Sequence, residues 1–539
     1  MPAHLLSNLY KNALYYANMP PVNQPLRSLL QDQLRLADTR DHATTLAMSS
    51  GDNRIDVPTV GRTFSSAYEQ LRNAAEYSEE HLLLQRAIKR FYRLNLFTTK
   101  RSKQQLNIEL ISELVLAGYL QNNTISKQAV SQLDAILDSY LVAYDQLKTN
   151  SNKREHISEW ILACLSADIE ALLRSHNRRQ AVIAVAYQYF SQAIDRDYYK
   201  NSSDAAGYEL CLYIAVHQAL LKSDIDIVRA DVRAMYAIDP KDTERFLRIN
   251  QQIDHYFACQ LTTQLRRFVS RNSAPLRILK SMITTRTDLP ELLNNQQTFM
   301  DAYRLQIAQE YVQVHNRLDT GLAKSVAFIF ITKMLIGVGV EIPYDLVVHG
   351  HIAWAPLITN LLFPPIYMVL LRLGINTPKP ANTKKLSSLI ETMLYGGEVA
   401  MLVAPKARKI KPLRQIVYDL LFSVPIAITV AVLYWLNFNI VQMIIFFIFF
   451  STASSLGFRL RAMVADLEVS HQSSGFFASV RDFLYLPFIV FGQWLSAEYR
   501  RFNIIGRMLD IIIELPLKTF FRLARQWMRF LDEQHEQLY

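Results

Sequence analysis

The chain has 539 residues, half of them apolar, with a formal net charge of +10, and that length points to more than one domain. Residues 322–539 hold 21 Lys and Arg against 14 Asp and Glu, while residues 1–321 hold 37 against 34. The basic excess therefore belongs to the apolar C-terminal part, where it suits a membrane surface and excludes nucleic acid as the expected partner. Three cysteines, Cys164, Cys211 and Cys259, stand alone in helix-like stretches. An odd count without close spacing argues against a disulfide framework or a zinc site.

Residues 1–60 carry Pro20-Pro21, Pro25 and the loose stretch Ser49 to Asn53, and read as a weakly ordered N-terminal arm. The first residues lack a charged segment followed by an apolar core, so no signal peptide is expected and the first span must direct insertion. Residues 61–320 read as a cytosolic helical domain. Tyr68, Leu71, Ala75, Leu82, Leu83, Ala87, Ile88 and Phe91 recur at three- and four-residue steps, and similar patterns run to Leu318. The 15 glycines of the whole chain suit helices with few turns. Asp239-Pro240 and Asp288-Leu-Pro290-Glu291 carry helix-start chemistry.

Residues 321–460 read as a four-span transmembrane domain. Its apolar segments are Leu322–Val340, Ile352–Leu373, Ile416–Leu436 and Asn439–Phe458, each near the ~20 residues that a helix needs to cross the hydrocarbon core. The loop 374–415 is rich in Lys and Arg, whereas the connections 341–351 and 437–439 have none. The positive-inside rule then places the N-terminus, the basic loop and the C-terminus in the cytoplasm.

Lys333 lies midway along the first span, where a charge is costly and should face the bundle interior or water. It invites two readings: an ion or proton pathway, or a buried Lys capped by Thr359 or Asn360 that fixes helix register. No carboxylate stands at the same depth in the sequence, and Asp419 is too shallow to serve. Pro364 and Pro365, with Pro356, interrupt the second span. Broken helices line binding sites in some transporters, but a kink relieved by neighbouring packing is the commoner cause. Glu341, Asp345, His349 and His351 form a loop of possible metal donors whose spacing matches no zinc pattern. Lys406, Arg408, Lys409, Lys411 and Arg414 precede the third span and could contact anionic lipid headgroups or simply set topology.

Residues 461–539 read as interfacial amphipathic helices. Phe483–Leu495 is apolar but too short to span, so an interfacial or re-entrant segment is expected. Over Ile504–Leu523, Arg507, Asp510, Glu514, Lys518, Arg522 and Arg525 share one polar face, the pattern of a helix lying on the membrane or docked on the bundle. The chain has no phosphate-binding glycine loop, paired-His motif or nucleophile elbow, so no catalytic residue, metal or cofactor is expected.

The stretches YEQLRNAAEYSEEHLLLQRAIKRFYR (68–93), LISELVLAGYL (110–120), FITKMLIGVGVEIPYDL (330–346) and MLDIIIELPLK (508–518) resemble an uncharacterised family of polytopic membrane proteins of Patescibacteria, the candidate-phylum bacteria. The resemblance implies a bacterial inner-membrane protein and adds no activity. The expected protein is all-α: an inner-membrane scaffold whose cytosolic helices bind a protein partner. The alternative is a channel or transporter with a pathway near Lys333, which would need a homo-oligomer to enclose it.

Overall fold

The computed structural model describes residues 25–49, 54–58, 62, 65, 66, 69, 82–96, 102–150, 154–174, 177–196, 207–373, 375, 380–396, 401–402, 412–469, 483, 486–494 and 527. Among these every extended element is a helix, and the only strand-like pairings are isolated bridges, Arg54 with Ser126 and Ile194 with Leu402. The helical domain contains α1 (Leu26–Ser49), α2 (Leu83–Asn95), α3 (Lys103–Leu116), α4 (Lys127–Asn150), α5 (Arg154–Leu173), α6 (Asn177–Ala193), α7 (Tyr208–Val216), α8 (Ile225–Met235), α9 (Thr243–Phe257), α10 (Gln260–Asn272) and α11 (Ala274–Thr285). A π-turn, His217–Leu221, closes α7.

Local chemistry starts these helices where it can satisfy their free N–H groups. Asp224 caps α8 by accepting from Ile227 N, and Asp242 caps α9 by accepting from Arg245 N. The expected start at Asp239-Pro240 is displaced by three residues, because the carboxylate that bonds the first turn is that of Asp242.

The stretch read as a weakly ordered arm contains α1, and α1 packs against α6. Leu29, Leu30 and Leu34 are buried there, and Arg178 on α6 pairs with Asp38 at 2.6 Å. Pro20, Pro21 and Pro25 precede this helix in the sequence, and the loose stretch begins at its last residue, Ser49.

The domain runs without a break into an apolar bundle. Helix α12 (Gln296–His349) is continuous over 54 residues and contains a π-turn at Gly337–Glu341. At 1.5 Å per residue it is about 80 Å long. It starts on an Asn295 cap and ends where Gly350 turns left-handed at φ 70°, a conformation that glycine adopts without strain. The connection expected at 341–351 is therefore helical almost throughout. The remaining helices are α13 (Trp354–Leu373), α14 (Pro380–Tyr395), α15 (Pro412–Trp435) and α16 (Ile440–Ala465).

Three helices, α12, α13 and α16, are long and apolar enough to cross a membrane, and they pack on one another. The expected third span lies within the 24-residue helix α15, whose described apolar stretch is Phe422–Trp435. Exposed apolar side chains such as Ile331, Val338, Val347, Leu370 and Ile440 coat the bundle, as hydrocarbon rather than water would require.

Within the basic loop, α14 lies against α12, α11 and α1. Its Asn382 joins three elements, donating to Tyr311 Oη and Leu467 O and accepting from Val469 N at 2.8–2.9 Å. Arg277 on α11 pairs with Asp466 just past α16 at 3.0 Å. Domain and bundle thus share one junction.

The helical residues 486–494 do not lie at the end of the bundle. Phe488 sits 4.2 Å, ring to ring, from Phe450, midway along α16. Gly492 approaches so closely that a Cβ there would come within 2.1 Å of Ser451 O. The segment therefore inserts beside the middle of α16. The polar face expected over 504–523 falls outside the described residues.

Candidate functional site

The bundle encloses a chain of polar side chains drawn from all three long apolar helices. Lys333 Nζ donates to Glu341 Oε1 at 2.9 Å, and the two side chains are 1% and 0% exposed. The ammonium also lies 4.7 Å from the centre of the Phe449 ring on α16. Glu341 Oε2 accepts from Asn360 Nδ2 on α13 at 3.1 Å, and the same Nδ2 lies 3.3 Å from Gln442 O on α16. One step further, Asp345 accepts from Gln442 Nε2 at 3.1 Å, Asn439 Nδ2 at 2.9 Å and Ala353 N at 3.2 Å. Both carboxylates are thus fully engaged while buried.

The π-turn explains how Lys333 and Glu341 meet. Eight residues apart on a regular α-helix they would be roughly 80° out of line. A π-turn takes up one extra residue, so eight residues make close to two full turns. Glu341 then falls on the face of Lys333, and Asp345, one turn on, continues that face. On α16, Asn439 and Gln442 form a reciprocal capping box, with each side chain bonded to the other's backbone N–H. That box places Gln442 Nε2 next to Asp345.

Lys333 is therefore not a lone charge: its carboxylate partner is Glu341, from the stretch expected to be an outer loop. Asn360 belongs to the cluster as expected, but it bonds the carboxylate rather than the Lys, and Thr359 takes no part. Its Oδ1 is buried and has no hydrogen-bond partner among the described residues. Pro364 and Pro365 are buried inside an uninterrupted α13. Each removes one ladder N–H, yet the helix continues, and Tyr367 behind them bonds Ser454 Oγ on α16 at 3.1 Å. Both prolines lie within the packing of α13.

Glu341 and Asp345 are drawn away from any metal role, while His349 and His351 stay at the exposed end, where His351 Nδ1 lies 2.9 Å from His349 O. No metal-holding group occurs among the described residues. Lys406, Arg408, Lys409 and Lys411 lie outside the described residues, as does the side chain of Arg414 on α15. The reasoning from sequence missed Asn439, Gln442 and the role of Glu341. The Asn-x-x-Gln spacing was readable as a capping box; the π-turn left no comparable mark.

Outside the bundle, a groove of about 540 Å³ opens between α12 and α14, lined by Arg304, Tyr311, Lys384 and Ser387 among others. It stands apart from the polar cluster.

No family model, curated protein or solved structure matches this chain, so its function has to be read from its own residues.

Proposed function

We propose that the chain is a non-enzymatic membrane anchor and scaffold of a bacterial inner membrane, with a cytosolic helical domain that binds a protein partner. The observation that carries this reading is the continuity of α12, which belongs to the helical domain at one end and holds Lys333 and Glu341 at the other. Such a helix fixes a partner-binding domain to the bilayer without a hinge. The polar cluster acts as a lock: each of the three helices supplies a member, and each carboxylate is satisfied by the others.

The positive-inside pattern orients the bundle with the domain, the basic loop and the end of α16 in the cytoplasm. The packing of α14 on the domain and the Arg277–Asp466 pair accord with these three lying on one side. The basic residues from Lys406 to Arg414 then meet the headgroups of that leaflet.

A second reading, an oligomeric channel or transporter with its pathway at Lys333, is favoured by one feature. The cluster formally holds two carboxylates and one ammonium, and Asn360 Oδ1 points at no donor among the described residues. A spare negative charge and a free acceptor would suit a proton or a monovalent cation. The full-length protein in lipid nanodiscs separates the readings. A scaffold recovers a discrete cytosolic partner at fixed stoichiometry; recovery of none across growth conditions contradicts it.

A further inference from the structure

Two of the three cysteines, 48 positions apart in the chain, meet in the helical domain. Cys211 Sγ and Cys259 Sγ lie 3.7 Å apart. Cys211 is fully buried on α7, whereas Cys259 is partly exposed at the start of α10. The helices that carry them are among the most closely packed pairs of the domain. Cys259 Sγ accepts from Thr262 N at 3.4 Å and lies 3.3 Å from Thr262 Oγ1. Cys164 differs: it is completely buried, and burial pushes its thiol up to about 12.

We infer that Cys259 and Cys211 form a redox-active dithiol, with Cys259 the sulfur that meets a peroxide-class oxidant and Cys211 the sulfur that resolves it. The division of labour follows from access, because Cys259 is partly exposed and Cys211 is buried. The Cys259 thiolate attacks one peroxide oxygen, the O–O bond breaks, and the departing oxygen takes a proton. Cys259 is left as a sulfenic acid. Cys211 sulfur then attacks the Cys259 sulfur, the S–O bond breaks, and the hydroxyl leaves as water with the Cys211 proton. Two electrons pass from the sulfurs to the peroxide.

Closing from 3.7 Å to the disulfide length needs an approach of about 1.7 Å. The product staples α7 to α10, and thiol exchange with a dithiol reductant reverses it. A transient disulfide of this kind suits a reducing compartment.

The test treats the full-length protein in nanodiscs with hydrogen peroxide, denatures it, alkylates it and maps its peptides by mass. The expected result is the loss of two of the three alkylatable thiols, a peptide linking Cys211 to Cys259, full alkylation of Cys164, and reversal by a dithiol. In Cys211→Ser the expected product is a sulfenic acid at Cys259, trapped by a carbon nucleophile. Three alkylatable thiols remaining in the wild type overturn the inference, as does a link between two copies of the chain. The wild-type result decides even where the variant fails to fold.

Discussion

Lys333 and Glu341 each satisfy a charge that the bundle interior would otherwise reject. An isolated ionised side chain at the centre of a membrane helix costs about 2.5–3.5 kcal/mol on insertion scales. Removing one member of a buried pair strands the other, at about 3–5 kcal/mol. Lys333→Met and Glu341→Gln should each destabilise the solubilised full-length protein by that amount, whereas the double variant should lose distinctly less. Denaturant unfolding of all four proteins measures the coupling, and strictly additive losses would contradict the pairing. In the helical domain His217 and Asp231 lie 3.8 Å apart, Nδ1 to Oδ2. Burial, aided by Arg179, pulls the His217 imidazole down to about 3, and burial pushes the Asp231 carboxyl up to about 7. The unfolded chain protonates His217 from its ordinary value near 6.5, so the His217 contribution falls as pH drops below that point. Folded Asp231 keeps its proton, so its contribution is full below the ordinary carboxyl value and is lost as pH rises through about 7. The two slopes oppose each other across the same window. Asp231→Asn should expose the His217 slope: lowering the pH from 7 to 5 should cost that variant up to about 2 kcal/mol more than the wild type. Parallel stability profiles for the two proteins would refute it.

At the scale of elements, the π-turn at Gly337–Glu341 decides which residues face the bundle. Inserting one Ala after Gly339 should carry Glu341 and Asp345 roughly 100° past Lys333, whereas deleting Gly339 should remove the π-turn and leave Glu341 about 700°, close to two turns, beyond Lys333. The insertion should cost about what Lys333→Met costs, read as a lower unfolding midpoint, and the deletion distinctly less; equal losses from the two would mean that the turn does not set the pairing. The same element shows what the sequence made legible. The all-helical class and the apolar stretches behind α12, α13 and α16 could be read from periodicity, because burial of one stripe dictates three- and four-residue spacing. Lys333 and Asn360 could be picked out, because a charge or amide in an apolar run is costly wherever it lies. Glu341 as the partner of Lys333 could not, because pairing across eight residues requires a winding defect with no side-chain signature. Helix α1 was hidden by flanking prolines that lie outside it. The dithiol was hidden because 48 residues of chain separate two sulfurs that meet only through the packing of α7 on α10.

For the whole molecule, the junction of domain and bundle is the feature that organises the rest. Helix α12 enters both, Asn382 joins α12 and α14 to the segment after α16, and Arg277 clasps Asp466. A displacement of the domain by a bound partner would therefore carry into the bundle, and the polar cluster would resist it. On the proposed reading, such a molecule would hold a partner at the bilayer and would need no open path through Lys333. The most direct measurement is proton and monovalent-cation flux in proteoliposomes containing the full-length protein. The account predicts flux equal to that of protein-free vesicles, in the wild type and in the Lys333→Met/Glu341→Gln double variant alike. Flux above that level in the wild type, abolished by the double variant, would contradict it.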